Sequence, residues 1–137
     1  MVAPVPSRVL LDTHALVWYA ENSPQLPDEI KQLLASGQTE VYVSIVSFWE
    51  LATLTSLNRL VLVPDLATWI AKIRASSFRV VAIEDYHLLA YSSLPQVKDH
   101  RDPFDRLLIA QVLTDNLTLI SRDSKFAAYP SLRLQWA

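Results

Sequence analysis

The stretch VYVSIVSFWE, residues 41–50, joins two kinds of pattern without a break. Its first half belongs to an apolar run, Glu40–Ser44, that reads as a buried strand; its second opens an amphipathic stretch, Val46–Leu60, with helical spacing. The same alternation runs outward in both directions. Arg8–Leu11, Phe78–Ile83 and Leu117–Ile120 read as further buried strands, and Leu132–Trp136 alternates like an edge strand. Helices are expected at Pro27–Ala35, which Gly37 can terminate, at Asp65–Ser76 after Pro64, at Glu84–Leu94 and at Pro103–Asn116. Strands alternating with helices predict an α/β fold with a parallel sheet covered on both faces. In such folds the ligand crevice lies beyond the carboxyl ends of the strands.

Composition narrows the chemistry. At 137 residues, 51% of them hydrophobic, the chain is expected to form one domain, 1–137, with a substantial core. It has no Cys, which excludes disulfides, thiolate catalysis and Cys-zinc sites and fits a cytoplasmic location. A single Gly, at position 37, cannot build a glycine-rich phosphate cradle, so Walker and dinucleotide fingerprints are absent. A formal net charge of −2 argues against a surface that grips nucleic acid everywhere, but leaves room for a local basic patch. No apolar run approaches the ~20 residues of a membrane helix. The opening MVAPVPSRVLLDTH is not expected to be a secretory signal.

Carboxylates gather where the crevice is expected. Asp12 follows the first apolar run directly, and Asp123 lies just beyond another in LTLISRD. Glu50 sits about one turn into the helix after the second strand, and Asp102 and Asp105 open the helix that leads into the fourth. Each also has a structural reading. Asp12 could cap a helix beginning near His14, Ser47-x-x-Glu50 is a capping-box pattern, and Asp123 suits a turn. Asp102 suits the N-cap before Pro103, with Asp105 where a capping-box acid would fall. Convergence favours chemistry, because crowded carboxylates need a compensating cation or must protonate. With oxygen donors alone, Mg²⁺ or Mn²⁺ is the expected metal, and such a site suits in-line displacement at phosphorus.

The motifs LLDTHALVWY (10–19), SFWELA (47–52), HRDPFDRLLIAQ (100–111) and LTLISRDSKFAAY (117–129) resemble, in order and spacing, those of PIN-domain ribonucleases. The similarity is greatest to the VapC-type toxins of bacterial toxin–antitoxin pairs. That resemblance implies a three-layer α/β/α sandwich with a mainly parallel sheet. It also implies a metal-dependent endoribonuclease, dimeric and held inactive by a VapB-like antitoxin, leaving a 5′-phosphate and a 3′-hydroxyl. On the same ground Asp12, Glu50, Asp105 and Asp123 correspond to the catalytic, metal-binding acids, and Asp102 is assigned to capping. The region LTSLNRL and Asp65–Ser76 corresponds to the part that meets the antitoxin. Val112 stands where the family commonly has a small residue, and LPQVKDHRDPFD is a longer approach to its motif than usual, which leaves the path of residues 95–100 open.

Other residues carry weaker expectations. Arg101, Arg106, Arg122 and Lys125 could form a basic rim for RNA phosphates or balance neighbouring acids. Thr13 and Ser121 are candidates for steadying a carboxylate. His14 is expected to be packed or hydrogen-bonded, His87 and His100 are given no chemistry, and Trp18, Tyr19, Phe48 and Trp49 are expected in the core or an interface. Two other readings compete. An aspartyl phosphotransfer enzyme of the haloacid-dehalogenase type needs a second Asp where His14 stands, and a receiver-type domain would leave Glu50 and Asp105 unexplained. A catalytically inactive RNA- or protein-binding module of the same fold would have no use for the four acids.

Overall fold

The computed structural model describes residues 6–136. Its strands are β1 (Arg8–Leu11), β2 (Glu40–Ser44), β3 (Arg79–Val81), β4 (Thr118–Ser121) and β5 (Leu134–Trp136). They form one five-stranded sheet in the order β3-β2-β1-β4-β5, every pairing parallel. At its centre Leu11 lies opposite Val43 on one side and Ile120 on the other. The helices are α1 (Thr13–Ala20), α2 (Asp28–Ala35), α3 (Ile45–Ser56), α4 (Leu66–Ala75), α5 (Asp85–Ser92) and α6 (Pro103–Asp115), with a short 3-10 helix at Ser124–Ala128.

Alternation along β1 divides the core in two. Val9 and Leu11 join Leu16 of α1, Ile30 and Leu34 of α2, Leu51 of α3 and Ile73 of α4 on one face. Leu10 points the other way, into a cluster with Leu108, Ile109 and Val112 of α6 and with Phe126 and Tyr129. Val9, Leu10 and Leu11 are all fully buried, as a strand sandwiched by helices requires. The result is the three-layer α/β/α arrangement. Val112 packs in the second cluster, buried.

Local signals set most boundaries. Asp12 caps α1, Ser44 caps α3, and Asp65 caps α4, each accepting a backbone N–H. Gly37, with φ +73°, lies just past the end of α2. Asn116, left-handed at φ +57°, closes α6. Several elements differ from the expected limits. The strand expected at 78–83 shrinks to β3, with Phe78 turned onto Tyr19 at 5.2 Å between ring centroids. The helix expected to reach Leu60 stops at Ser56, because Asn58 adopts a left-handed φ of +56°. Thr13–Ala20 forms a full helix where only its start was anticipated.

The winding reverses at β1: β2 and β3 lie to one side of it, and β4 and β5 to the other. Such a switch point leaves a crevice at the carboxyl ends of the two adjoining strands, here β1 and β4. Buried Gln111 of α6 braces the structure nearby. Its carbonyl accepts the Ser44 hydroxyl, and its amide donates to the Ala82 carbonyl at 3.2 Å.

Leu108, fully buried between α6 and the sheet, provides a check on this packing. Leu108→Ala is expected to lower the free energy of unfolding by about 2–5 kcal/mol, read from urea melts followed by circular dichroism.

Candidate active site

Four chain segments deliver acids to the crevice. Asp12 follows β1, Glu50 lies in the second turn of α3, Asp105 is in the first turn of α6, and Asp123 follows β4. All four line a single cavity of about 330 Å³, together with Asp102, Arg101 and Lys125. The sequence-derived set is therefore brought together.

Helix capping was the competing reading for several of these acids, and each resolves differently. Asp12 does both things: one oxygen accepts the Ala15 N–H at 2.7 Å while the residue lines the cavity. Asp102 is the N-cap of α6, accepting the N–H groups of Phe104 and Asp105 at 2.8 and 3.2 Å. Asp105 does not complete a capping box with it; its carboxylate turns to His100 instead. Glu50 is no capping-box acid either, because α3 starts at Ile45, two residues before Ser47, and is capped by Ser44. Asp123 caps the 3-10 helix through the Lys125 N–H at 2.9 Å.

Burial sets the electrostatics. Asp12, 6% exposed, has its carboxyl pushed above the ordinary range by desolvation, opposed by the Ser121 hydroxyl and the Ala15 N–H. Glu50 is raised by burial, opposed by the Thr13 hydroxyl, with Asp102 and Asp12 repelling its charge. Asp105 is pushed up to about 6, first by burial and then by Asp102, with Glu50 adding to the repulsion and His100 relieving it. The expectation that Thr13 and Ser121 steady carboxylates fits these contacts. Thr13 also bonds Ser47 at 3.0 Å, and Ser121 accepts the Asp123 N–H at the same distance.

His100 is the residue the sequence did not single out. It is 3% exposed, with Nε2 3.1 Å from Asp105 Oδ2 and Nδ1 2.7 Å from the Tyr129 hydroxyl. Tyr129 also accepts from Arg106 at 3.0 Å. With a neutral imidazole beside an ionised Asp105, Nε2–H donates to Asp105 and Nδ1 accepts the Tyr129 proton, which Arg106, able only to donate, leaves free. A directional chain, Arg106 to Tyr129 to His100 to Asp105, thus holds one carboxylate oxygen in place. The segment left open, residues 95–100, makes this contact by turning back on itself: Asp99 takes φ +65° and His100 pairs with Val97. The long approach LPQVKDHRDPFD was the available signal.

Two expectations need correction. Arg106 is no rim cation; it is buried, donating to the Pro95 carbonyl as well as to Tyr129. His14 is exposed at the cavity wall rather than packed away, because the helical turn after Asp12 points it outward. Trp49 is half exposed, its ring centroid 4.5 Å from that of Phe104, which leaves the interface half of its expected placement open. Arg101 and Lys125 do remain exposed at the cavity, as the rim reading required.

The donor set fits a hard divalent cation: carboxylate oxygens, partly desolvated and mutually repelling, around one cavity. Among the described residues no three His, Asp or Glu are drawn close enough to hold a metal ion as they stand, and mutual repulsion acts to keep like charges apart.

Residues 9–132 match the PIN domain family model, and the chain belongs to the PIN domain family. Ribonuclease VapC22 of Mycobacterium tuberculosis is 26% identical over 123 residues, covering 90% of this chain and 92% of that one. Among solved structures, VapBC2 of Rickettsia felis bound to a promoter DNA fragment aligns with a TM-score of 0.67 and 17% identity, over 93% of this chain and 97% of that one. DNA-bound VapBC of Salmonella typhimurium aligns with a TM-score of 0.67 and 15% identity, over 95% and 98%. These structural likenesses establish a common fold.

Two outcomes are expected from this geometry. Tyr129→Phe removes the hydroxyl between Arg106 and His100 and leaves a buried ring nitrogen unpaired; urea melts should record a loss of about 1–3 kcal/mol. The second concerns charge. Because the Asp105 carboxyl titrates at about 6 rather than 3.8, the folded state binds that proton more tightly, and wild type gains stability as the pH falls from about 6 to about 4. In chelator at pH 8, Asp105→Asn should therefore be more stable than wild type, by about 3 kcal/mol at most, and the advantage should vanish below about pH 4. A variant less stable than wild type at pH 8 would mean that the His100 bond outweighs the repulsion.

Proposed function

We propose that this protein is a metal-dependent endoribonuclease and the toxin of a toxin–antitoxin pair, with Asp12, Glu50, Asp105 and Asp123 as its metal-binding and catalytic acids. The observation that carries the reading is their convergence on one cavity at the switch point of a PIN-domain sheet. The relative named as a ribonuclease supports the reaction class. The likeness to VapBC complexes supports a VapB-like antitoxin as partner. A homodimer and a cytoplasmic location belong to the same reading. Among the described residues no helix is long and apolar enough to cross a membrane.

Bound among these acids, Mg²⁺ or Mn²⁺ would supply Lewis acidity and charge neutralisation for in-line displacement at phosphorus. Asp12, Glu50, Asp105 and Asp123 would hold it. The chain's own work is orientation. The Ala15 N–H fixes one oxygen of Asp12, and His100 fixes one oxygen of Asp105. Arg101 and Lys125, exposed beside the acids, offset their repulsion of an incoming phosphodiester.

Structured RNA offered to antitoxin-free protein tests the reading. Cutting should require Mn²⁺ or Mg²⁺, stop in EDTA and leave 5′-phosphate ends. Asp105→Asn should lose more than the ~10–100-fold typical of an outer-shell partner. Cutting by the variant at the wild-type rate would remove Asp105 from the acid set. A folded wild type that binds RNA without cutting it in either metal would favour the inactive binding module.

A further inference from the structure

Beside the acid-lined cavity lies a second pocket of about 270 Å³, lined by Asp12, His14, Trp18, Arg122 and Asp123. Asp12, His14 and Asp123 line both, so the two hollows adjoin at the acids. Their outer walls differ. The first carries Arg101 and Lys125. The second carries a cation laid on an aromatic ring, the Arg122 guanidinium 4.8 Å from the centre of Trp18.

That pairing is built to stay in place. Trp18 packs against the core and meets Trp136 edge-on at 5.8 Å, so the ring under Arg122 is held from behind. His14 stands on the same side, 5.7 Å from Trp18 between ring centres and tilted by 36°. Among the described residues Arg122 makes no ion pair, although Asp123 is its chain neighbour; Asp123 instead accepts the Lys125 N–H. An exposed guanidinium, steadied by stacking and carrying unused donors, suits a phosphate oxygen. A neighbouring imidazole and indole suit a base.

Resting on the nuclease reading, we propose that the Arg122–Trp18–His14 pocket is the subsite for the nucleotide adjoining the scissile phosphodiester. Its phosphate pairs with Arg122, and its base packs against the wall formed by His14 and Trp18. Single-stranded RNA then straddles the acids, gripped by Arg101 and Lys125 on one side and by Arg122 on the other. Without cations on both sides, four carboxylates would repel the strand they must engage. The combination of a ring wall with a cation also favours nucleic acid over an acidic peptide, which would need the cation alone.

The test separates binding from cutting. Fluorescein-labelled single-stranded RNA of mixed sequence is titrated in EDTA against the full chain and four variants, across a range of salt. His14 and Arg122 are exposed, so their replacement spares the core. Arg122→Gln should weaken binding about tenfold at low salt and flatten the dependence of log affinity on log salt by about one charge. Arg122→Lys should restore the slope without restoring the full affinity, since lysine keeps the charge and loses the planar stack. His14→Ala should weaken binding severalfold, and Lys31→Gln, on α2 and outside both pockets, should bind like wild type. Arg122→Gln binding as tightly as Lys31→Gln would overturn the subsite. If wild type then still cuts RNA in Mn²⁺, the nuclease reading survives that loss. If wild type never cuts, yet Arg122→Gln loses RNA, the pocket stands as a binding site and the nuclease reading falls.

Discussion

Repulsion among carboxylates at the carboxyl edge of the sheet is the constraint around which this molecule is arranged. Asp12 stands at the end of the central strand, buried at 6% exposure, in a position where a negative charge is poorly solvated and has acidic neighbours. Nothing in the hydrophobic core offsets that. The compensation comes from directed donors: the Ala15 N–H and the Ser121 hydroxyl for Asp12, and His100 for Asp105. Each donor reduces the cost of charge while constraining the acid's geometry. The fold and the chemistry thus share the same hydrogen bonds.

This sharing explains why capping and function were hard to separate in the sequence. A carboxylate has two oxygens. Asp12 uses one to start α1 and still lines the cavity, as Asp123 does at the 3-10 helix. Asp102 does most of its visible work as a cap and raises the charge density felt by Asp105. Starting a helix and lining a site are therefore compatible roles for one side chain, and a cap motif alone does not exclude chemistry.

What could be read from the chain was what local chemistry determines. The Asp102–Pro103 pair announced α6, the apolar run before Asp12 announced β1, and the acids followed strand ends by simple order. The Ser47-x-x-Glu50 pattern, the competing structural reading, is not realised, because Ser44 at the end of β2 caps the helix instead. His100 was illegible for a different reason. Its burial depends on Tyr129, 29 residues away, and on a reversal of the chain at Asp99. Arg106 looked like a rim cation for the same reason: its partners, Pro95 and Tyr129, are supplied by tertiary structure. Periodicity reports which face of an element is apolar, not which polar group will be met by a distant one.

The two outermost strands, β3 and β5, are each three residues long. A sheet edge ordinarily tempts another chain to add a strand, and very short edges blunt that temptation. Arg79, the first residue of β3, pairs inward with Glu40 of β2 at 3.6 Å. Strand-by-strand growth into a shared sheet is thereby discouraged at both borders. A second protein meeting this one finds helices and loops as its docking ground, so recognition depends on side-chain relief rather than on a borrowed backbone ladder.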